Sequence, residues 1–194
     1  MSRNALILEK ETPDKSPQVK WRRAEFRGLI HRLFHDNAAA ALIGPDADSR
    51  TSEVCWGLAK ELAADGHRVV IVDVERTLRA DALPPVTACS PGGAANISFW
   101  PAIAEDALEP SHFDSSSLAD SDWISSLRHA FDAVLLNCPS LETEPEAAEI
   151  AARADAAVLV VQAGQTKKKQ ILQEERALER RGAKLAGCIL MRRR

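Results

Sequence analysis

Residues 41–75 read ALIGPDADSRTSEVCWGLAKELAADGHRVVIVDVE, and their pattern decides the fold. The stretch begins inside an apolar run, residues 38–43, that Gly44-Pro45 closes, as expected of a buried strand. Residues 51–65 then place Val54, Cys55, Leu58 and Leu62 on one face of a helix, with Gly66 as its left-handed stop. Val69-Val70-Ile71-Val72 follows at once, β-branched and ending at Asp73. Strand, polar turn, helix and strand in direct succession describe one unit of an α/β sheet.

The same alternation runs outward in both directions. Upstream, Phe26, Leu29, Ile30, Leu33 and Phe34 recur at helical spacing. Downstream, residues 122–131 read as a helix and Ala133-Val134-Leu135-Leu136 as a strand ending at Asn137-Cys138-Pro139. Thr143 and Glu146 have capping-box spacing, which opens a helix to about Arg153. An apolar run over 156–161, a charged helix over 166–181 stopped by Gly182, and a strand over 185–190 complete the pattern. Residues 80–120 interrupt it with five of the ten prolines, and they predict a loop-rich excursion with at most short helices. The expected fold class is α/β, a parallel sheet covered by helices on both faces. Residues 1–20 are expected to be a flexible lead, and 21–194 a single domain. Ligands of such sheets bind at the carboxyl ends of the strands, here Gly44 to Ser52, Asp73 to Glu75, Asn137 to Ser140 and Gln162 to Thr166.

Composition removes several classes of function. With 25 Lys+Arg against 28 Asp+Glu the net charge is −3, so no bulk electrostatic grip on nucleic acid or an anionic membrane is expected. The apolar runs are too short to span a bilayer, and Glu9-Lys10-Glu11 ends the first of them too early for a signal peptide, so a cytoplasmic protein is expected. The four cysteines form no CxxC pair, which predicts buried free thiols rather than a metal site or disulfide framework. His31 and His35 share a helix face but lack an evident third ligand. There is no tyrosine.

Residues 41–75 resemble the phosphate loop, first helix and second strand of the deviant-Walker P-loop ATPases. FDAVLLNCPS, residues 131–140, resembles their Walker B strand, and residues 154–166 and 181–190 are similar to their last two strands. The AEFRGL of residues 24–29 narrows the resemblance to the bacterial tyrosine-kinase-like branch, whose members partner a membrane protein that controls exopolysaccharide chain length and export. The likeness implies a P-loop NTPase-like fold over about residues 21–191.

The polar stations of that resemblance are replaced. A working loop needs Gly-Lys-Ser/Thr: glycine lets backbone N–H groups cradle phosphate, Lys neutralises its oxygens, and the hydroxyl holds Mg²⁺. An ungapped register puts the triplet on Arg50-Thr51-Ser52, and a register counted from Gly44 puts it on Ser49-Arg50-Thr51; neither contains Gly-Lys. The loop reads either as a phosphate contact or as a polar turn in which Ser49 or Thr51 caps the helix. Asp46 and Asp48 add negative charge where phosphates would lie, and neutral Asn137 stands at the metal carboxylate of Walker B. Asp73 and Glu75 keep the second-strand acidic pair in part, while Met191 replaces the base-reading Asn. Of the Glu-x-x-Arg-x-x-Arg oligomerisation motif, aligned on Ala24, Arg27 and Ile30, only Arg27 remains. Tyrosine autophosphorylation is excluded by composition.

The expected protein is a non-catalytic member of a bacterial exopolysaccharide system, acting by contact with the cytosolic part of a chain-length-control membrane protein or with a catalytic relative. Peripheral membrane association through that partner, at the inner face of the cell membrane, and homo-oligomerisation are compatible with it. No catalytic residue, metal or cofactor is expected, and Gly44, Ser49, Arg50, Thr51, Ser52, Asp73, Glu75 and Asn137 would form a vestigial nucleotide site. The alternatives are an ATP- and Mg²⁺-binding kinase or ATPase with an unorthodox loop, and a partition- or placement-type ATPase relative. On the first reading the loop after Ile43 collapses, and Trp56 and Trp100 are candidates to fill the cleft.

Overall fold

The computed structural model describes residues 5–8, 23–34, 38–46, 49–79, 89–92, 94–100 and 123–192. Strands β1 (Ala5–Leu8), β2 (Ala38–Ile43), β3 (Val69–Asp73), β4 (Ser90–Pro91), β5 (Ile97–Trp100), β6 (Ala133–Cys138), β7 (Ala156–Gln162) and β8 (Leu185–Met191) form one sheet. Its order is β1-β8-β7-β2-β6-β3-β5-β4, parallel throughout except for the short antiparallel pair β4–β5. Helices α1 (Arg23–Leu33), α2 (Thr51–Ala64), α3 (Val74–Arg79), α4 (Trp123–Ala130), α5 (Ala147–Ala152) and α6 (Lys168–Arg180) connect and cover the strands.

Strand alternation sends successive side chains to opposite faces, and both faces are buried. Ala39, Ala41 and Ile43 of β2 join Val134 and Leu136 of β6 on the face covered by α4, α5 and α6, with Leu127, Ile150 and Leu178. Ala40 and Leu42 join Leu135 on the other face, under Leu29 and Leu33 of α1 and Val54, Leu58 and Leu62 of α2. This is why the central strands read as unbroken apolar runs. A fully buried leucine in such a layer is worth ~1.5–3 kcal/mol relative to leaving it in water.

Helix ends follow the glycines. At the end of α2, Gly66 (φ 92) donates to Ala63 O, and His67 donates to Leu62 O, the paired bonds of a Schellman cap. Gly182 (φ 81) and Ala183 repeat it on Glu179 and Leu178 at the end of α6. Asp155 accepts from the backbone N–H of Ala39 at 2.8 Å and from Arg128 at 3.0 Å, fixing the start of β2 beside β7.

Three expectations are corrected, and one helix lies where none was expected. Residues 5–8 are not part of a lead: they pair with residues 188–191 as edge strand β1, while 9–20 lie outside the described residues. The excursion contains β4 and β5, with β5 parallel to β3; its mixed Ile-Ser-Phe-Trp pattern carries no alternation that marks a strand. A one-and-a-half-turn helix, α3, follows β3 directly. The Thr143 capping box does not form: the Thr143 hydroxyl donates to Ser140 O, and the N–H groups of residues 147–149 make i→i−3 bonds in the first turn of α5, which begins at Ala147. His35, Trp21 and residues 193–194 lie outside the described residues.

Candidate functional site

The registers Ile43↔Cys138 and Asp73↔Asn137 bring the ends of β2, β6 and β3 side by side. The loop after β2, the start of α2 and the turn after β7 therefore meet at one rim of the sheet.

The loop closes on itself. Ser49 is fully buried; its N–H donates to Asp46 O at 3.2 Å and its hydroxyl to Asp46 Oδ1 at 2.7 Å, while the Asp46 N–H donates back to Ser49 Oγ at 3.2 Å. Thr166, from the turn after β7, donates to Asp46 Oδ2 at 3.4 Å. A Cβ added to Gly44 would fall 2.1 Å from Ser49 Cβ, so only glycine permits this closure. An anion nest needs successive N–H groups converging on one point. Here Pro45 has no N–H, and those of Asp46 and Ser49 are spent inside the loop.

Arg50 has φ 55 and ψ 33, a left-handed conformation that costs glycine nothing. It therefore occupies the backbone position of the motif's glycine, which selects the ungapped register, with Thr51 at the lysine and Ser52 at the hydroxyl. The Arg50 guanidinium does not reach into the loop: it pairs with Glu53 one turn along α2. The Asn137 amide donates to Ser52 Oγ at 3.1 Å, so the hydroxyl and Walker B positions are in contact without a carboxylate between them. Cys55 lies 3.9 Å from Asn137 Oδ1, and burial pushes the thiols of Cys55 and Cys138 well up, which leaves both protonated and unsuited to nucleophilic attack.

Asp73 acts as a helix cap. Its Oδ1 accepts from the Arg76 N–H at 3.0 Å and its carbonyl from the Thr77 hydroxyl at 2.6 Å. Glu75 is turned to another group: it pairs with Arg79 at 2.9 Å, which also pairs with Glu144 at 2.8 Å. The structure thus assembles Gly44, Ser49, Arg50, Thr51, Ser52, Asp73 and Asn137 at the rim, and leaves Glu75 out. Trp56 and Trp100 do not fill the loop. With Phe99, Arg76, Ser52, Asp73 and Asn137 they wall a cavity of about 360 Å³ beside it. Trp56 stacks on Phe99 at 5.9 Å between centroids, and buried Trp100 on Trp123 at 5.0 Å. Sequence reasoning missed Phe99 because its strand lies inside the proline-rich excursion.

Thr51 and Asn137, at the lysine and metal-carboxylate positions of the resemblance, carry no charge, and Asp46 lies in the loop beside them. Removal of a charge partner in such a site leaves phosphate charge uncompensated, at a cost of several kcal/mol at an effective dielectric near 20.

No family model matches the chain, and no curated protein matches it. Solved structures do. The kinase domain of Escherichia coli tyrosine kinase ETK superposes with a TM-score of 0.68 at 17% identity, over 89% of this chain and 75% of that one. The BceF tyrosine kinase domain gives 0.62 at 19%, over 87% and 74%, and the chimerical protein CapA2B2 gives 0.69 at 15%, over 97% and 94%. The fold is that of the bacterial tyrosine kinase domains. It is the P-loop NTPase-like α/β fold that the strand and helix pattern implies. Among the described residues no helix is long and apolar enough to cross a membrane.

Proposed function

We propose that the chain is a non-catalytic component of a bacterial exopolysaccharide biosynthesis or export system, working by protein–protein contact. The observation that carries this reading is the closed Asp46–Ser49 unit, in which donors that would cradle phosphate satisfy the loop itself. Three further features support it: Thr51 in place of lysine, Asn137 in place of the metal carboxylate, and the absence of any tyrosine to phosphorylate. Its partner on this reading is the cytosolic part of a chain-length-control membrane protein, or a catalytic relative of the same fold, met at the cytoplasmic face of the membrane.

One observation favours a second reading, residual nucleotide binding. Helix α2 has no side-chain N-cap hydrogen bond, and Ser52 of its first turn is in contact with Asn137 at the same rim. Phosphate release separates the two. Arg50→Lys in the full chain should leave ATP hydrolysis at the buffer background, because Arg50 stands at the glycine and Asn137 remains neutral. A clear gain from that single change would overturn both the register and the non-catalytic reading.

A further inference from the structure

Helix α6 turns Ile171 and Leu178 toward the protein, and the positions between them on that face are Glu174 and Glu175. Glu174 is only 7% exposed. Its carboxyl accepts from the Leu141 N–H, but Oε2 is buried without a hydrogen-bond partner. It borders a cavity of about 540 Å³ between α6, Pro45 and the Leu141-Glu142 turn after β6. This lies within the roughly 300–1,000 Å³ usual for small-molecule sites.

The cavity is divided by charge. Burial, then Glu142, then Asp46 push the Glu174 carboxyl up to about 7; Glu142 shares the cavity wall, while Asp46 belongs to the neighbouring loop. Arg176 and Arg180, both exposed, line the same cavity from the outer side of α6. An anion entering here meets the carboxylates, and a polycation meets the arginines. A neutral ligand without donors leaves Oε2 unpaired, an arrangement that costs free energy in any buried site. An ammonium group brings three donors and the charge that Glu174 lacks.

We propose that this cavity binds a small zwitterion of the ω-amino acid class, its ammonium against Glu174 and its carboxylate against Arg176 and Arg180. The site is separate from the loop at Asp46–Ser49 in its chemistry, and the proposal does not depend on whether the chain hydrolyses ATP. Between about pH 6 and pH 8 Glu174 is expected to change charge. Binding should therefore strengthen as the pH rises through that window.

The test uses the full chain, carboxyl-labelled at glutamate, titrated with 6-aminohexanoate, hexylamine, hexanoate and spermidine while Glu174 is followed by NMR. The expected result is saturable binding of 6-aminohexanoate that lowers the Glu174 midpoint by about one unit or more, with affinity roughly tenfold higher at the top of the pH window. Hexylamine should bind several-fold more weakly, and hexanoate and spermidine should leave Glu174 unmoved. Glu174→Gln, which keeps the shape of the side chain, should abolish the pH dependence and weaken binding roughly tenfold. Arg180→Gln should weaken 6-aminohexanoate but not hexylamine. No displacement of the Glu174 signal by 6-aminohexanoate overturns the proposal. So does equal binding of hexylamine and 6-aminohexanoate, or binding that persists unchanged in folded Glu174→Gln.

Discussion

Strand β2 and the loop after it are consecutive in the chain yet answer to different constraints. All six residues of β2 are buried; all six pair with β6 and the last four also with β7, between layers of helices. No ligand is needed to fix them. The loop's polar groups, by contrast, have been satisfied locally: Asp46 with Ser49 and Thr166, Arg50 with Glu53, Asn137 with Ser52. An interior is specified by packing and survives as long as the protein folds. A rim whose polar groups pair with one another depends on those pairs rather than on packing.

The largest expected effect tests the interior. Leu135→Ala, at a fully buried position of β6, should cost ~2–5 kcal/mol in chemical denaturation, whereas Arg50→Ala at the rim should stay near 1 kcal/mol or below. Comparable losses at both positions would erase the distinction.

Gly44→Ala sharpens it at the boundary. The new methyl meets Ser49 Cβ and Oγ, so a destabilisation of about 1–3 kcal/mol is expected. Ser49→Gly removes both atoms and should recover most of that loss in the double variant. A double variant no better than Gly44→Ala would show that the loop is not closed on Ser49.

A smaller effect comes from Glu174. Its folded-state pKa, near 7, lies above the usual carboxylate value, so the folded protein holds the proton more tightly than the unfolded chain. Its contribution is present below about pH 4.5 and is lost as the pH rises through about 7. Denaturation midpoints of Glu174→Gln should lack that slope. The smallest effect belongs to Asp132, held at about 2 by hydrogen bonds from Arg68 and so contributing above about pH 4 and lost as the pH falls toward 2. Arg68→Ala should move only the acid limb of unfolding, and slightly, because the pair faces solvent.

What could be read from sequence follows the same division. The central strands were legible because burial on both faces forces apolar runs, and α2 because Val54, Leu58 and Leu62 repeat at helical spacing. Strand β5 was not, since Ile97–Trp100 draws its partners from β3, far away in the chain. The edge strand β1 is four residues whose pairing depends on β8. At the rim, residue types showed what was missing, but two registers fitted equally well until the positive φ of Arg50 chose between them. Glu75 kept its acidic identity while its side chain turned to Arg79, a change of direction that identity does not reveal. Glu174 did leave a signal: its spacing from Ile171 and Leu178 puts a carboxyl on the buried stripe of α6.

Calorimetric titration of the purified full chain with ATP, with and without Mg²⁺, tests the central claim most directly. Loss of the nest, the lysine and the metal carboxylate should remove several kcal/mol, each ~1.4 being a factor of ten, so binding no tighter than about millimolar is expected and Mg²⁺ should not improve it. Micromolar binding strengthened by Mg²⁺ would contradict the account and establish the rim as a working nucleotide site.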